Sequence, residues 1–160
     1  MISELIISVM ILTTNINKKV VNMPVIQTSA IETIDGRRIE LSNDDISLIQ
    51  RVTSAEAKGE SIECQTAIAT VILNRLASPE YPDTVAGVVY QPNQFVIEPA
   101  DKVPTNTKMA VLCAITLYNS KSMIVPHTTY YLRANKYHNF GVPLFKIDNT
   151  YFSMSENVLL

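Results

Sequence analysis

Glu56 and Glu60 are the side chains best placed by sequence for acid–base chemistry. They stand four residues apart in Ser54-Ala55-Glu56-Ala57-Lys58-Gly59-Glu60. Gly59 separates two helical patterns, so both carboxyls sit at a helix-to-helix corner. Glu56 falls in the last turn of the first helix, where the negative end of the helix dipole disfavours a charged carboxylate. Burial in a cleft would raise its pKa further. A carboxyl that holds its proton near neutral pH is what a general acid requires. Glu60 lies beside the start of the second helix, where the dipole favours the ionised form. Carboxyls whose surroundings push their pKa values apart are candidates for acid and base roles. The alternative these residues leave open is a solvated corner whose glutamates merely offset Lys58.

The elements that must hold this corner are legible on both sides of it. Residues 18–41 read as extended. Asp35-Gly36 is a turn signal between Ile31-Glu32-Thr33-Ile34 and Arg38-Ile39-Glu40-Leu41, which predicts a hairpin. Ser42 with Asp45 makes a capping box, and Ile46, Ile49, Val52 and Ala55 follow at helical spacing. Ser61 caps a second helix with a broad apolar face (Ile62, Ala67, Ile68, Val71, Ile72, Leu76), which runs to about Ala77 before Ser78-Pro79. Pro82-Asp83-Thr84 caps a short apolar helix, Val85–Tyr90, ended by Pro92-Asn93-Gln94. Residues 96–106 read as a loop. A third main helix covers about Thr107 to Ser120, with Met109, Leu112, Cys113, Thr116 and Leu117 inward. The tail reads as β: Thr128 to Arg133, then Leu144 to Ile147 and Tyr151 to Met154 about the turn Asp148-Asn149. Helices followed by a small antiparallel sheet define an α+β fold.

Composition narrows the classes. The chain has 160 residues, 47% hydrophobic and 18% charged, which suits one globular domain with a real core. Net charge is −2, and the longest basic runs are the pairs Lys18-Lys19 and Arg37-Arg38, so no nucleic-acid footprint is expected. Leu5 to Leu12 is apolar but too short to span a bilayer, and the start Met-Ile-Ser-Glu is wrong for a secretory signal. No stable membrane insertion is therefore expected. Met10 and Met23 are alternative starts. Cys64 and Cys113 fall in apolar helical patterns and read as buried free thiols rather than a disulfide or a nucleophile. The two histidines, His127 and His138, lack an H-E-x-x-H setting, so no metal and no cofactor are expected.

Three blocks carry a resemblance. Glu56-Ala57-Lys58-Gly59-Glu60 resembles the E-A-[RK]-G-E signature of the SleB-like cell-wall hydrolases. The run from Gln65 to Arg75 resembles their G-Q-x-A-V-A-x-V-x-L-N-R, with Cys64 in place of the glycine. The run from Pro82 to Pro92 resembles their P-x-T-V-x-x-V-I-Y-Q-P block, and Phe95 falls where the family has its Q-F. The likeness covers about residues 45–153. It weakens at Tyr130-Tyr131-Leu132, where many relatives carry histidine, and at Asp148 to Ser153, where the family tends to read I-G-N-H-x-F-Y.

The resemblance implies a lysozyme-superfamily-like helical core with a small antiparallel sheet toward the C-terminus. Residues 1–41 would be an N-terminal extension carrying the hairpin, and 42–160 the catalytic domain. It implies action at the bacterial cell wall, on peptidoglycan glycan strands, of the lytic transglycosylase or muramidase type. Glu56 would be the single acid/base and Glu60 its support. Gln65 and Asn74, polar on an apolar helix, either line the cleft or bond neighbouring backbone. Arg75 either pairs with a carboxylate or ends its helix in solvent. Tyr90, Phe95, Tyr130 and Tyr131 are candidates to stack on sugar rings or to pack the core. A non-catalytic wall-binding module that kept the fold is the alternative, favoured by the altered C-terminal block. Oligomeric state leaves no signal.

Overall fold

The computed structural model describes residues 29–156. The apolar run Leu5–Leu12, the pair Lys18-Lys19 and the extended reading of 18–28 lie outside the described residues. A hairpin opens the described chain, β1 (Ser29–Glu32) against β2 (Arg38–Leu41), with Glu32 opposite Arg38. Asp35-Gly36 closes it as the sequence predicts, with Gly36 at φ 82° and its N–H donating to the Thr33 carbonyl (3.1 Å). Helix α1 (Asn43–Glu56) starts on the predicted box: Ser42 Oγ accepts from the Asp45 N–H, and Asp45 accepts from the Ser42 N–H (2.9 Å). It ends at Glu56, with Ala57 as its C-cap and Gly59 at φ 84° turning the chain.

Helix α2 (Ile62–Ala77) begins on Ser61, whose Oγ accepts from the Cys64 N–H (3.2 Å). Every residue from Cys64 to Leu76 is buried, so this helix is the axis of the molecule rather than a surface helix with one apolar stripe. Helix α3 (Val85–Val89) sits on the predicted Thr84 cap. The loop after it contains one 3-10 turn, Ala100–Lys102. Helix α4 (Thr105–Asn119) starts two residues before the expected point, after Pro104. Its buried face is Thr107, Ala110, Val111, Cys113, Ala114, Ile115, Leu117 and Tyr118. Three residues expected inward are therefore not buried. Met109 and Leu112 are half-buried and Thr116 is exposed, because α2 and β1 pack against the neighbouring stripe.

Strands β3 (Thr129–Ala134), β4 (Val142–Ile147) and β5 (Thr150–Met154) form an antiparallel sheet in the order β3-β5-β4. The β4–β5 turn is Asp148-Asn149, with Asp148 at φ 50°. Two apolar clusters share α2. The larger joins the hairpin (Ile31, Leu41) to all four helices, and the smaller joins Ala57 and the first half of α2 to Phe152 of β5. Cys64 and Cys113 are buried free thiols, as expected. Among the described residues no helix is long and apolar enough to cross a membrane.

Candidate active site

Glu56 closes α1 half-buried, at the seam between the two clusters. Its Oε1 accepts from the Val96 N–H at 2.7 Å. Burial pushes the Glu56 pKa above its ordinary value, while the Val96 amide and the charge of Arg75 pull it back. The loop that supplies Val96 is stapled to α1 five residues before Glu56. Arg51 Nε donates to the Glu98 carbonyl (2.7 Å), and the Glu98 N–H donates to the Arg51 carbonyl (3.2 Å).

Arg75 is the residue that sequence reasoning undervalued. A helix-end arginine usually lies in solvent, yet this one is only 3% exposed. Its Nε donates to the Tyr130 carbonyl (2.7 Å) and its Nη1 to Gln94 Oε1 (2.9 Å). The guanidinium lies over the rings of Phe95 (4.8 Å) and Tyr81 (5.2 Å). Burial lowers its pKa, and the charge fields of Tyr81, Tyr131 and Glu56 oppose that. Three consecutive residues thus join the two charged groups: Gln94 and Phe95 hold Arg75, and Val96 holds Glu56. The Gln94-Phe95 pair that matches the Q-F motif was the available signal.

The other candidates divide. Tyr90 is exposed at the C-cap of α3. Tyr131 is half-buried, edge-on to Phe140 (5.2 Å) and His138 (6.1 Å). Phe95 is half-buried under Arg75 and packs on the larger cluster. Tyr130 is buried against Tyr81 (ring centroids 5.3 Å), not open for stacking. Gln65 and Asn74 take the backbone-bonding alternative. Gln65 Nε2 donates to the Glu60 carbonyl (3.0 Å), and Asn74 Nδ2 donates to the carbonyls of Pro126 (2.9 Å) and Thr129 (3.0 Å). Asn74 and Tyr130 also line a cavity to which Glu56 does not contribute.

Glu60 faces the β4–β5 turn. Its two carboxylate oxygens accept from the Asn149 N–H and Nδ2 (3.3 Å each), and Asp148 Oδ2 accepts from the Ser61 N–H (2.8 Å). Glu60, Cys64 and Asp148 have potential ligand atoms all within 4.8 Å of one another, so these three could hold a metal ion. Burial pushes the Cys64 thiol up to about 11, and the nearby carboxylates add to that shift against a hydrogen bond with Thr150.

An α+β body whose central helix is buried on all sides, flanked by a three-stranded sheet and with a glutamate closing the preceding helix, is lysozyme-superfamily-like. It is similar to two solved structures. The catalytic domain of the SleB protein of Bacillus cereus matches with TM-score 0.58 and 27% identity, over 71% of this chain and 91% of that one. The catalytic domain of the germination-specific lytic transglycosylase SleB of Bacillus anthracis matches with TM-score 0.57 and 26% identity, over 70% and 95%. The cell wall hydrolase family model matches residues 59–153, and the chain belongs to that family. The match begins three residues after Glu56. Spore cortex-lytic enzymes are similar over shorter stretches: that of Bacillus subtilis is 54% identical over 54 residues, 34% of this chain and 18% of that protein. That of Oceanobacillus iheyensis is 44% identical over 82 residues, 46% of this chain and 28% of that protein. The chain thus matches under a third of the length of either relative.

Proposed function

We propose that this chain cleaves the glycan strands of peptidoglycan at the bacterial cell wall, as a lytic transglycosylase with Glu56 as its acid and base. The observation that carries the reading is the setting of Glu56: a carboxyl at a helix C-terminus, its pKa raised by burial, fixed by one backbone N–H beside a buried arginine. Family membership and the spore cortex-lytic relatives support the substrate class. The solved domain described as a lytic transglycosylase supports the reaction type.

In this reading Glu56 gives its proton to the glycosidic oxygen as the bond from that oxygen to the muramic C1 breaks. The muramic 6-hydroxyl then bonds to C1, and its proton passes to the Glu56 carboxylate. Water is not consumed, and the new end is a 1,6-anhydro sugar. A hydrolytic muramidase would usually need a second carboxyl across the cleft. Glu60 is occupied with Asn149, Asp83 and Asp101 are exposed, and Glu98 sits in the loop tied to Arg51. Glu60 supports the reaction by holding the sheet's turn against the corner, and of the four aromatic candidates the exposed Tyr90 and the half-buried Tyr131 are the two left to meet sugar rings.

The test is a digest of purified peptidoglycan. The natural chain should clear turbidity and leave anhydro-muramic ends, one water lighter than reducing ends by mass spectrometry. Glu56→Gln should keep the fold, since its amide oxygen can still accept from Val96, and should lose clearing by at least about 100-fold. Glu60→Gln should lose less. A lytic Glu56→Gln removes the assignment, and a digest holding only reducible ends replaces transglycosylation with hydrolysis.

A further inference from the structure

Charge is unevenly spread along this chain. Acidic residues outnumber basic ones, 15 to 13, yet the stretch from Lys102 to Ile147 holds six lysines and arginines and no Asp or Glu. Three of the six, Arg133, Lys136 and Lys146, lie in β3, in β4 or in the connection between them. The register of the sheet sets two of them side by side. Arg133 of β3 and Lys146 of β4 are each paired with Tyr151 of the central strand β5. Directly paired residues share a face of the sheet. Arg133 and Lys146 therefore flank the Tyr151 ring, two strand spacings or about 10 Å apart along the backbone. Lys146 Nζ lies 5.4 Å from the centre of that ring, and Tyr137 packs edge-on against it (4.8 Å). The other face, with Leu132, Phe145 and Phe152, packs on the first half of α2, so the cations stand on the outer face. Lys146 is exposed and Arg133 and Tyr151 are half-buried. Among the described residues neither cation has a carboxylate within ion-pair reach.

This face is continuous with the candidate active site. Tyr131 precedes Arg133 by two residues on β3, so the two share a face, about 7 Å apart. Tyr131 and Glu56 both lie close enough to Arg75 for their charge fields to act on it. A path of neighbouring groups thus leads from Glu56 through Arg75 and Tyr131 to Arg133, Tyr151 and Lys146. We propose that the outer face of this sheet, with Arg133 and Lys146 astride Tyr151, binds the peptide stems of peptidoglycan through their free carboxylates. The proposal rests on the glycan-strand reading above and adds a grip beside the strand. The stems are short acidic peptides that branch from the muramic sugars, so a stem next to the bond at Glu56 starts within reach of Tyr131. Two cations about 10 Å apart match carboxylates spaced along a peptide of a few residues. The Tyr151 ring between them suits the amide planes and methyl groups of a peptide, which a phosphate polymer lacks. Charge complementarity of this kind selects among partners more than it adds affinity.

Co-sedimentation of the full chain, on ice, with insoluble peptidoglycan freed of phosphate polymers tests this. The comparison is the same wall after its carboxyls have been amidated with a carbodiimide and excess ammonium, which neutralises the stems and leaves the glycan intact. The natural chain should bind the untreated wall about three- to tenfold more tightly than the amidated one. The double variant Arg133→Gln, Lys146→Gln should lose that margin and bind both walls as the natural chain binds the amidated one. Lys108→Gln with Lys121→Gln removes the same net charge from α4 and the residues after it, and should keep the margin. Equal binding of the natural chain to both walls overturns the proposal without any variant. So does undiminished binding by the first double variant, or an equal loss in the second, which would reduce the effect to net charge. Dependence on Arg133 and Lys146 only in walls that keep their phosphate polymers would assign the face to those polymers instead. Lysis is scored separately. Binding that follows the pair in a chain that clears no wall leaves this face standing and removes the cleavage reading, whereas clearing without that dependence overturns the face alone.

Discussion

Glu56 is dried by its surroundings and gripped by a backbone amide, and the two act on its proton in opposite directions. Burial wins, so the fold prefers the protonated form. The stability this contributes is complete below the ordinary carboxyl pKa and is lost as pH rises through the raised value. With Glu56 as the proposed proton donor, the rate follows the same sign and should fall on the basic side as Glu56 ionises. Val96→Pro removes the N–H that favours the carboxylate, so the basic limb of kcat/KM should move to higher pH, while Val96→Ala, which keeps the N–H, should leave it in place. A pH–rate profile of both variants checks this; a limb unmoved by Val96→Pro would mean that another group sets it. At this scale the place of Glu56 at the end of its helix was legible, because the Gly59 stop lies just beyond it. Arg75 was missed as a buried organiser, because its burial depends on Gln94, Phe95 and Tyr130, which come from other parts of the chain.

Helix starts were legible because capping is local chemistry: Ser42, Ser61 and Thr84 each accept from a backbone N–H three residues on. The inward face of α4 was not, because this helix is apolar on more than one side and its contacts with α2 and β1 choose the buried stripe. The two hairpin turns were legible because Gly36 and Asp148 meet positive φ with residues that tolerate it. One tight packing point was not visible in sequence. A Cβ on Gly87 would meet the Pro82 Cβ at 2.6 Å and the Thr84 Oγ1 at 2.8 Å. Thr84 Oγ1 is also the acceptor of the Gly87 N–H (3.0 Å), so a methyl group there displaces the cap that starts α3. Gly87→Ala should therefore destabilise by about 1–3 kcal/mol, against the usual gain of glycine-to-alanine in a helix. Urea midpoints give the answer; an unchanged or higher midpoint would mean that Pro82 yields freely.

The division of the chain at residue 42 is a whole-molecule question, and the packing of the hairpin bears directly on it. The sequence places residues 1–41 outside the catalytic domain, and the family match begins only at Gly59. Yet Ile31 and Leu41 are 0% and 1% exposed, inside the same cluster as α1, α2, α3 and α4. Asn119, the last residue of α4, clips β1 with both ends of its amide: Nδ2 donates to the Ala30 carbonyl (2.7 Å), and Oδ1 accepts from the Glu32 N–H (3.0 Å). Arg37 Nη2 donates to the Ala77 carbonyl (2.7 Å) at the end of α2, which closes the same face. We infer that the folding unit includes the hairpin, so a chain begun at Ser42 would expose the underside of α4. Ile31→Ala should cost about 2–5 kcal/mol, the range for emptying a packed core site. A chain of residues 42–160 should lose more and melt far below the full chain, with lysis failing alongside it, because Arg75 and Glu56 are held by the helices that the hairpin braces. Thermal melts followed by circular dichroism decide it. If residues 42–160 melt where the full chain does, the hairpin is an appendage and the boundary at 42 stands.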